Sequence, residues 1–314
     1  MQFLYALLSS MPGAAAQGLI WGVMAIGVYI TYKILDVADL TVDGSLCTGG
    51  AVCVILTLNG CPMAVALIAA VIAGMLAGFI TGIFHTAFGI PAILAGILTQ
   101  LALYSINLHI MGWGTDNGSK ANLPISVDKY KLLVSSRYVR DIKVDNPIFI
   151  LAIFLIVIIF VLYWFFGTEL GSSLRATGAN GNMARAQGIN TSFTKVLGLM
   201  ISNGLVALSG ALLSQYQGFS DINMGRGAIV IGLAAVIIGE VIFDKIFRNF
   251  GLKLLSCVIG AVIYYVVIQI VLKMGLSTDD LKLLTAVVVA LFLAIPYWKG
   301  KYFNKAKKGA QTNA

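Results

Sequence analysis

Three acids, Asp36, Asp39 and Asp43, stand close together in LDVADLTVDGS (Leu35–Ser45), just ahead of a short, Gly-rich apolar stretch, Leu46–Leu58. The residue types make this segment a candidate for contact with a solute. A polar, Gly-containing break between apolar runs is what a discontinuous membrane helix looks like. Its exposed helix ends and unpaired main-chain groups can face a solute. The same residues also fit an ordinary cytoplasmic turn with an Asp or Ser helix cap. In the first reading Asp39, Thr41, Asp43, Gly44 and Ser45 lie at or near a solute pathway.

A second polar segment runs from Gly171 into a long span ending near Leu213. Asn180 and Gly181 mark a turn, a short helical piece covers Asn182–Gln187, and Gly188 ends it as a C-cap. A short helix lying along the membrane can dock a soluble partner, or be no more than part of a solvated loop. Glu240, near the end of the Ala228–Phe243 span, is the only good candidate for an ionisable residue within a span, as proton-coupled transport would need. It is also placed to sit at the cytoplasmic interface beside Lys245.

Other chemistry is missing. There is no G-x-x-x-x-G-K-[ST] loop, so the chain is not expected to hydrolyse ATP itself. His85 and His109 lie far apart without metal-like neighbours, and no catalytic triad or nucleophile elbow appears. Cys47, Cys53, Cys61 and Cys257 sit in apolar stretches without metal spacing and read as packing residues. No enzyme, metal or cofactor is expected.

The elements that must position these residues are membrane helices. Hydrophobic residues make up 59% of the 314-residue chain and charged ones 11%, too few to cover a water-facing surface. The mean hydropathy is +0.93. A span needs about 20 apolar residues, and lipid admits only internally bonded backbone. Spans are predicted at Ala14–Leu35, Met63–Phe84, Ile90–Gly112, Pro147–Phe166, Val196–Tyr216, Ala228–Phe243, Leu254–Leu272 and Leu283–Trp298. Leu46–Leu58 is read as a half-helix or broken span. The fold class is therefore all-α and polytopic, with about 8–9 transmembrane helices. Residues 1–298 form one membrane domain and 299–314 a basic cytoplasmic tail.

The net charge of +8 sits in short loops and the tail, a topology signal rather than a nucleic-acid surface. Counting back from the tail places the 167–195 loop in the cytoplasm and the 113–146 loop outside. The N-terminus lies outside if Leu46–Leu58 crosses, and inside if it re-enters. Gly74, Gly78 and Gly82 form one small-residue ridge and Gly18 with Gly22 another, both suited to close helix packing.

At the two polar segments the chain resembles the permease subunits of bacterial ABC importers of the branched-chain amino acid and ribose type. DLTVDGS (Asp39–Ser45) matches their DLSVG-like stretch. Arg175, Gly178, Asn180, Ala184, Ala186, Gly188, Ile189 and Asn190 fall in step with their cytoplasmic loop. The resemblance runs from about Gly18 to Ile295 and is greatest to the tryptophan/tyrosine transport permease branch. ILTQLALYSINLHIMG (Ile97–Gly112) and QYQGFSDINMGRGAIVIGLAAVIIGE (Gln215–Glu240) carry that likeness. Gly239–Glu240 departs from the Gly-Gly pair common in ribose-type relatives.

The resemblance implies a multi-pass protein of the bacterial inner membrane, paired with a second permease subunit, expected to be another copy. Separate ABC ATPase subunits would bind ATP and receive the short helix, with Arg175, Asn182, Ala184, Arg185, Ala186 and Gly188 forming the coupling surface. An extracytoplasmic solute-binding protein would dock on the 113–146 and Gln217–Arg226 loops. A secondary transporter or channel, using Glu240, is the alternative. A membrane-embedded enzyme on lipid-linked substrates is the third class.

Overall fold

A computed structural model describes residues 2–114, 118–127, 129–130, 132–139, 146–243, 246–247, 249–274 and 280–298. The expected basic tail and Lys245 lie outside these. The described chain is mainly helical: α1 (Gln2–Tyr29), α2 (Val42–Leu58), α3 (Met63–Thr86), α4 (Ala92–Met111), α5 (Pro147–Gly167), α6 (Glu169–Ala179), α7 (Gly181–Ala186), α8 (Thr191–Gln217), α9 (Ala228–Phe243), α10 (Phe250–Lys273) and α11 (Leu281–Trp298). Six described helices are long and apolar enough to cross a membrane, and Val42–Leu58 and Ala228–Phe243 are shorter apolar helices. This is a multi-pass membrane protein.

The centre of the bundle is α8, packed on α1, α2 and α3. The predicted glycine ridges make these contacts. A Cβ on Gly74 or Gly78 would run into the α8 backbone at Asn203 and Leu199, and one on Gly82 would lie 2.9 Å from Val196. Three glycines one turn apart on α3 thus bed along one face of α8, letting the backbones touch where lipid supplies no hydrophobic drive. Gly18 and Gly22 do the same for α1 on α10, against Val262 and Val258. Hydroxyls stitch α8 to α1: Ser202 donates to the Gly27 carbonyl and Ser209 to that of Ile20, each at 2.8 Å.

Two ends of the bundle can be told apart. At one, β1 (Asn122–Pro124) pairs antiparallel with β2 (Phe219–Asp221), a two-stranded exception to the all-helical expectation. At the other lie α6 and α7. The first span continues as a π-helix, Ile30–Ile34, and ends against α6, where the Gly178 Cα meets the Ile34 carbonyl with no room for a side chain. From there the chain rises irregularly, with Asp36 at φ +54°, until α2 begins at Val42. Helix α2 reaches the strand end, where the Tyr130 hydroxyl donates to the Leu58 carbonyl. Residues 35–58 therefore connect opposite ends of the bundle, part extended and part helix, and do not return to the end they left. Gly and other small residues leave α2 buried on nearly every side.

The stretch from Gly171, read from sequence as polar loop, is mostly helical. Thr168 caps α6 by accepting from the Gly171 N–H, and the helix buries Gly171, Leu174 and Thr177 on one face.

Candidate functional site

The polar break before α2 folds into two environments. Asp39, Thr41 and Ser45 are buried in a hydrogen-bonded network. The Asp39 carboxylate accepts from the Thr41 N–H at 2.9 Å and from the Asn203 amide at 2.7 Å. Asn203 in turn accepts from the Ser45 hydroxyl at 2.6 Å. The Thr41 hydroxyl lies 2.7 Å from that of Thr81, which donates to Thr99. These groups tie the unwound segment to α3, α4 and α8, and each of them spends its capacity inside the chain.

Asp43 and Gly44 are placed differently. They line a cavity of about 280 Å³ with Cys47 from α2, Gln100, Leu101, Tyr104 and Asn107 from α4, and Ile222 and Arg226 from the turn before α9. That volume is at the lower edge of small-molecule sites, which run about 300–1,000 Å³. The Asp43 carboxylate accepts from the main-chain N–H of Gly227 at 2.9 Å and of Ile229 at 3.0 Å. It thus caps α9 from another helix, filling the role an N-cap residue would have, next to the positive end of the α9 dipole. No side chain could replace Gly225 hydrogen here, because its Cα rests on the Asp43 carbonyl.

Asn107 is fully buried, and its amide NH2 makes one long bond, 3.4 Å, to the Gly44 carbonyl. Its side-chain oxygen has no partner. A buried acceptor left unpaired costs about 1–3 kcal/mol, a cost carried behind the cavity wall. The sequence reading found Asp43 and Gly44 but not Gln100, Tyr104, Asn107 or Arg226. The spacing of Gln100, Tyr104 and Asn107 places them on one face of a helix, a polar stripe in an apolar run that could have marked them. The residues after β2, which end the Gln217–Arg226 loop, fold back along α2, with Met224 near Gly50 and Gly225 at Asp43.

At the opposite end, the Asn180 side chain caps α7 by accepting from the Met183 N–H. Gly188, at φ +82°, ends the helix in the left-handed conformation that glycine adopts without strain. Asn182, Met183, Arg185, Ala186 and Gly188 are exposed, whereas Ala184 is buried within the chain. The expectation that Ala184 shares an outward face with Ala186 is therefore corrected: two residues apart on a helix, they point to different sides. Arg185 reaches the Thr191 hydroxyl at 3.1 Å. Arg175 donates to the Phe166 carbonyl and lies over the Phe250 ring, so it fastens α6 to α5 and α10.

The remaining candidates have structural partners. Glu240 pairs with Lys33 at 3.0 Å. His85 Nδ1 lies 2.9 Å from the Ile90 carbonyl and His109 Nδ1 3.0 Å from that of Gly118. Among the described residues no group of three or more His, Cys, Asp or Glu is placed to hold a metal.

The family model described as "Branched-chain amino acid transport system / permease component" matches residues 10–296. The "Tyrosine transport system permease protein" of Clostridioides difficile (strain R20291) is 40% identical over 287 residues, 91% of each chain. An uncharacterized protein of Rickettsia prowazekii (strain Madrid E) is 37% identical over 286 residues, 90% of this chain and 95% of that one. Among solved structures, "PsaBC from Streptococcus pneumoniae in complex with Fab" aligns over 94% of this chain and 91% of the other, at 16% identity and a TM-score of 0.49.

Proposed function

Because the chain belongs to the family of branched-chain amino acid transport system permease components, we propose that it is the membrane-spanning subunit of an ATP-driven importer. Its solute is an amino acid or a closely related small compound. The observation that carries this reading is the contrast between α4 and α5, both largely uncovered by the rest of the chain. Helix α5 exposes Phe149, Ile153, Ile156, Val157 and Phe160, a surface suited to acyl chains. Helix α4 also exposes Ile93, Leu94, Leu98, Leu101 and Ile106, but it adds Gln100, Tyr104 and the buried Asn107 along a cavity. A polar stripe of that kind is not a lipid face, because groups that need hydrogen bonds find none in hydrocarbon. It is the wall of a water-accessible path, closed in the assembly by a second permease subunit, expected to be another copy.

The chain holds no nucleotide in this reading. Separate ABC ATPase subunits bind ATP and seat α7 in a surface groove, with Asn182, Arg185, Ala186 and Gly188 as the contact. Closure of the ATPase pair on ATP tilts the bundle and exposes the path to alternate sides. An extracytoplasmic solute-binding protein delivers solute at the strand end, and the whole sits in the bacterial inner membrane. With α7 in the cytoplasm, the crossing of residues 35–58 puts the N-terminus outside. The relative named for tyrosine transport makes aromatic amino acids the first solutes to try.

Affinity purification from mild detergent tests the reading. An ATPase bearing a phosphate loop is expected to come with the wild-type chain and to be lost from Ala186→Arg, whose membrane insertion is unchanged. Recovery of the chain alone, moving solute in liposomes without ATP, would replace this reading with a secondary transporter.

A further inference from the structure

We propose that the cavity between the end of the first span, α6 and the start of α10 binds an anionic phosphate ester, in the membrane the head group of a phospholipid. The proposal rests on the chain being a membrane protein and is independent of the importer reading.

This cavity, of about 780 Å³, lies at the α6–α7 end of the bundle and shares no lining residue with the one at Asp43. Its size is that of a small-ligand site, about 300–1,000 Å³. Three cations line it from three separate elements: Lys33 from the π-helix, Arg175 from α6 and Lys253 from α10. The acid on the same wall is Asp36, so positive charge is in excess. Glu240, off the lining, is engaged by Lys33 at 3.0 Å. Among the described residues Lys253 forms no ion pair, and it is exposed. Arg175 gives one N–H to the Phe166 carbonyl and stands 5.8 Å from the centre of the Phe250 ring. Those contacts fix its guanidinium and leave further donors unused. The Asn249 side chain lines the cavity without capping α10, so its amide is also at hand.

The depth of the cavity decides which anion it takes. Tyr163 and Trp164 are exposed near the end of α5, and the exposed Tyr32 lines the cavity itself. Exposed Trp and Tyr at helix ends mark the head-group level of a bilayer. Arg175 holds the carbonyl of Phe166, two residues beyond Trp164, and a Cβ on Gly251 would lie 3.4 Å from the Tyr163 ring. The cations thus stand level with lipid phosphates, beside a helix whose exposed Val157 and Phe160 suit acyl chains. Basic pockets between helices at that level bind acidic head groups. A metal cation is repelled by the excess charge, and a zwitterionic head brings no net charge to offset it. Asp36 can accept from the hydroxyls of a glycerol head group.

The test is native mass spectrometry of the full chain, purified in detergent and stripped of lipid, with phosphatidylglycerol added at rising concentration. Lys253→Gln is expected to weaken binding about fivefold, the worth of one lysine at an anionic surface, and Lys253→Arg to keep it. Lys273→Gln makes the same charge change at the opposite, exposed end of α10 and is expected to leave binding unchanged. Gel filtration of each variant checks folding. No loss at Lys253, or equal losses at Lys253 and Lys273, overturns the proposal. So does phosphatidylcholine binding as tightly as phosphatidylglycerol. Glycerol 1-phosphate, followed by equilibrium dialysis, separates the two sources of the same chemistry. If it binds far more weakly than the lipid, the site belongs to the head group. Binding as tight as the lipid's, and equally dependent on Lys253, assigns the site to a soluble phosphate ester. Where an ATPase co-purifies, the titration on that complex must keep its dependence on Lys253. Loss of the dependence there gives the cavity to the protein partner and overturns the proposal.

Discussion

The Asp39 carboxylate and the Asn203 side-chain amide meet at 2.7 Å across 164 residues of chain. Asn203 lies in the interior of α8, and Asp39 lies in the irregular segment that leads up to α2. Both are buried, so the contact fixes where an unwound stretch of backbone sits against the central helix. Asn203 also accepts from Ser45 and donates to the Leu199 carbonyl, which uses both of its N–H donors and its oxygen.

Replacing Asn203 by Leu removes the partner of a buried acid and the acceptor for Ser45 together. The expected cost is about 3–5 kcal/mol, as for other buried polar pairs broken on one side. Asp39→Asn, which still offers the amide an oxygen, is expected to lose much less. Thermal unfolding in detergent, followed by the recovery of monodisperse protein after heating, ranks the two. Equal losses would mean that Asn203 matters by its volume and not by its bonds.

Asp43 makes a second cross-helix attachment, to the first turn of α9. Asp43→Ala leaves two main-chain N–H groups without a protein acceptor and is expected to cost about 1–2 kcal/mol, in the upper range for helix caps. Asp43→Asn retains a capping oxygen and loses only the charge at the positive end of the dipole, about 0.3–1 kcal/mol. The same melting measurement separates them, and an unchanged Asp43→Ala would show that water replaces the cap.

Much of this arrangement is legible from residue types. The apolar runs mark the long spans, and the glycines of α3 mark the surface that α8 meets. The Asp39–Ser45 break is visible as polarity in the wrong place, although the sequence does not distinguish the buried Asp39 from the cavity-lining Asp43. That difference arises from partners on α8 and α9, more than 150 residues away. Helix α6 escapes notice because its eleven residues bury only a narrow stripe, Gly171, Leu174 and Thr177. Helix α2 has no polar face to betray its period, since it is enclosed by α3, α4 and α8. Arg226 has no local signal at all; its position follows from the fold-back of the chain after β2.

The glycine ridge gives a steric prediction. Gly78 lies against the Leu199 carbonyl and the Met200 Cα, backbone atoms that have nowhere to go. Gly78→Val is expected to force α3 off α8 and to cost several kcal/mol, beyond the usual overpacking penalty of about 1–3 kcal/mol. Gly181→Ala, where a Cβ would meet nothing within 4 Å, is the matched control and is expected to change stability little. Membrane-extracted yield and melting temperature report both. A well-folded Gly78→Val protein would show that the two helices have slack along their contact.

The Lys33–Glu240 pair decides a functional question as well as a structural one. It joins the end of the first span to that of α9, with side-chain exposures of 51% and 30%. Pairs so open to solvent contribute about 0–1 kcal/mol, and salt weakens them further. A double-mutant cycle with Lys33→Ala and Glu240→Ala is therefore expected to give a coupling energy below about 1 kcal/mol. In the importer reading ATP drives the cycle and no proton needs to pass, so Glu240→Gln is expected to keep ATP-dependent uptake within about twofold. A secondary transporter that uses Glu240 as its ion-coupling group would behave in the opposite way. Neutralising the acid would then abolish uphill uptake while leaving downhill exchange, because the solute path would be intact and only the link to the ion gradient lost. Measuring both modes in liposomes distinguishes these outcomes without reference to stability, since exchange itself reports a folded protein.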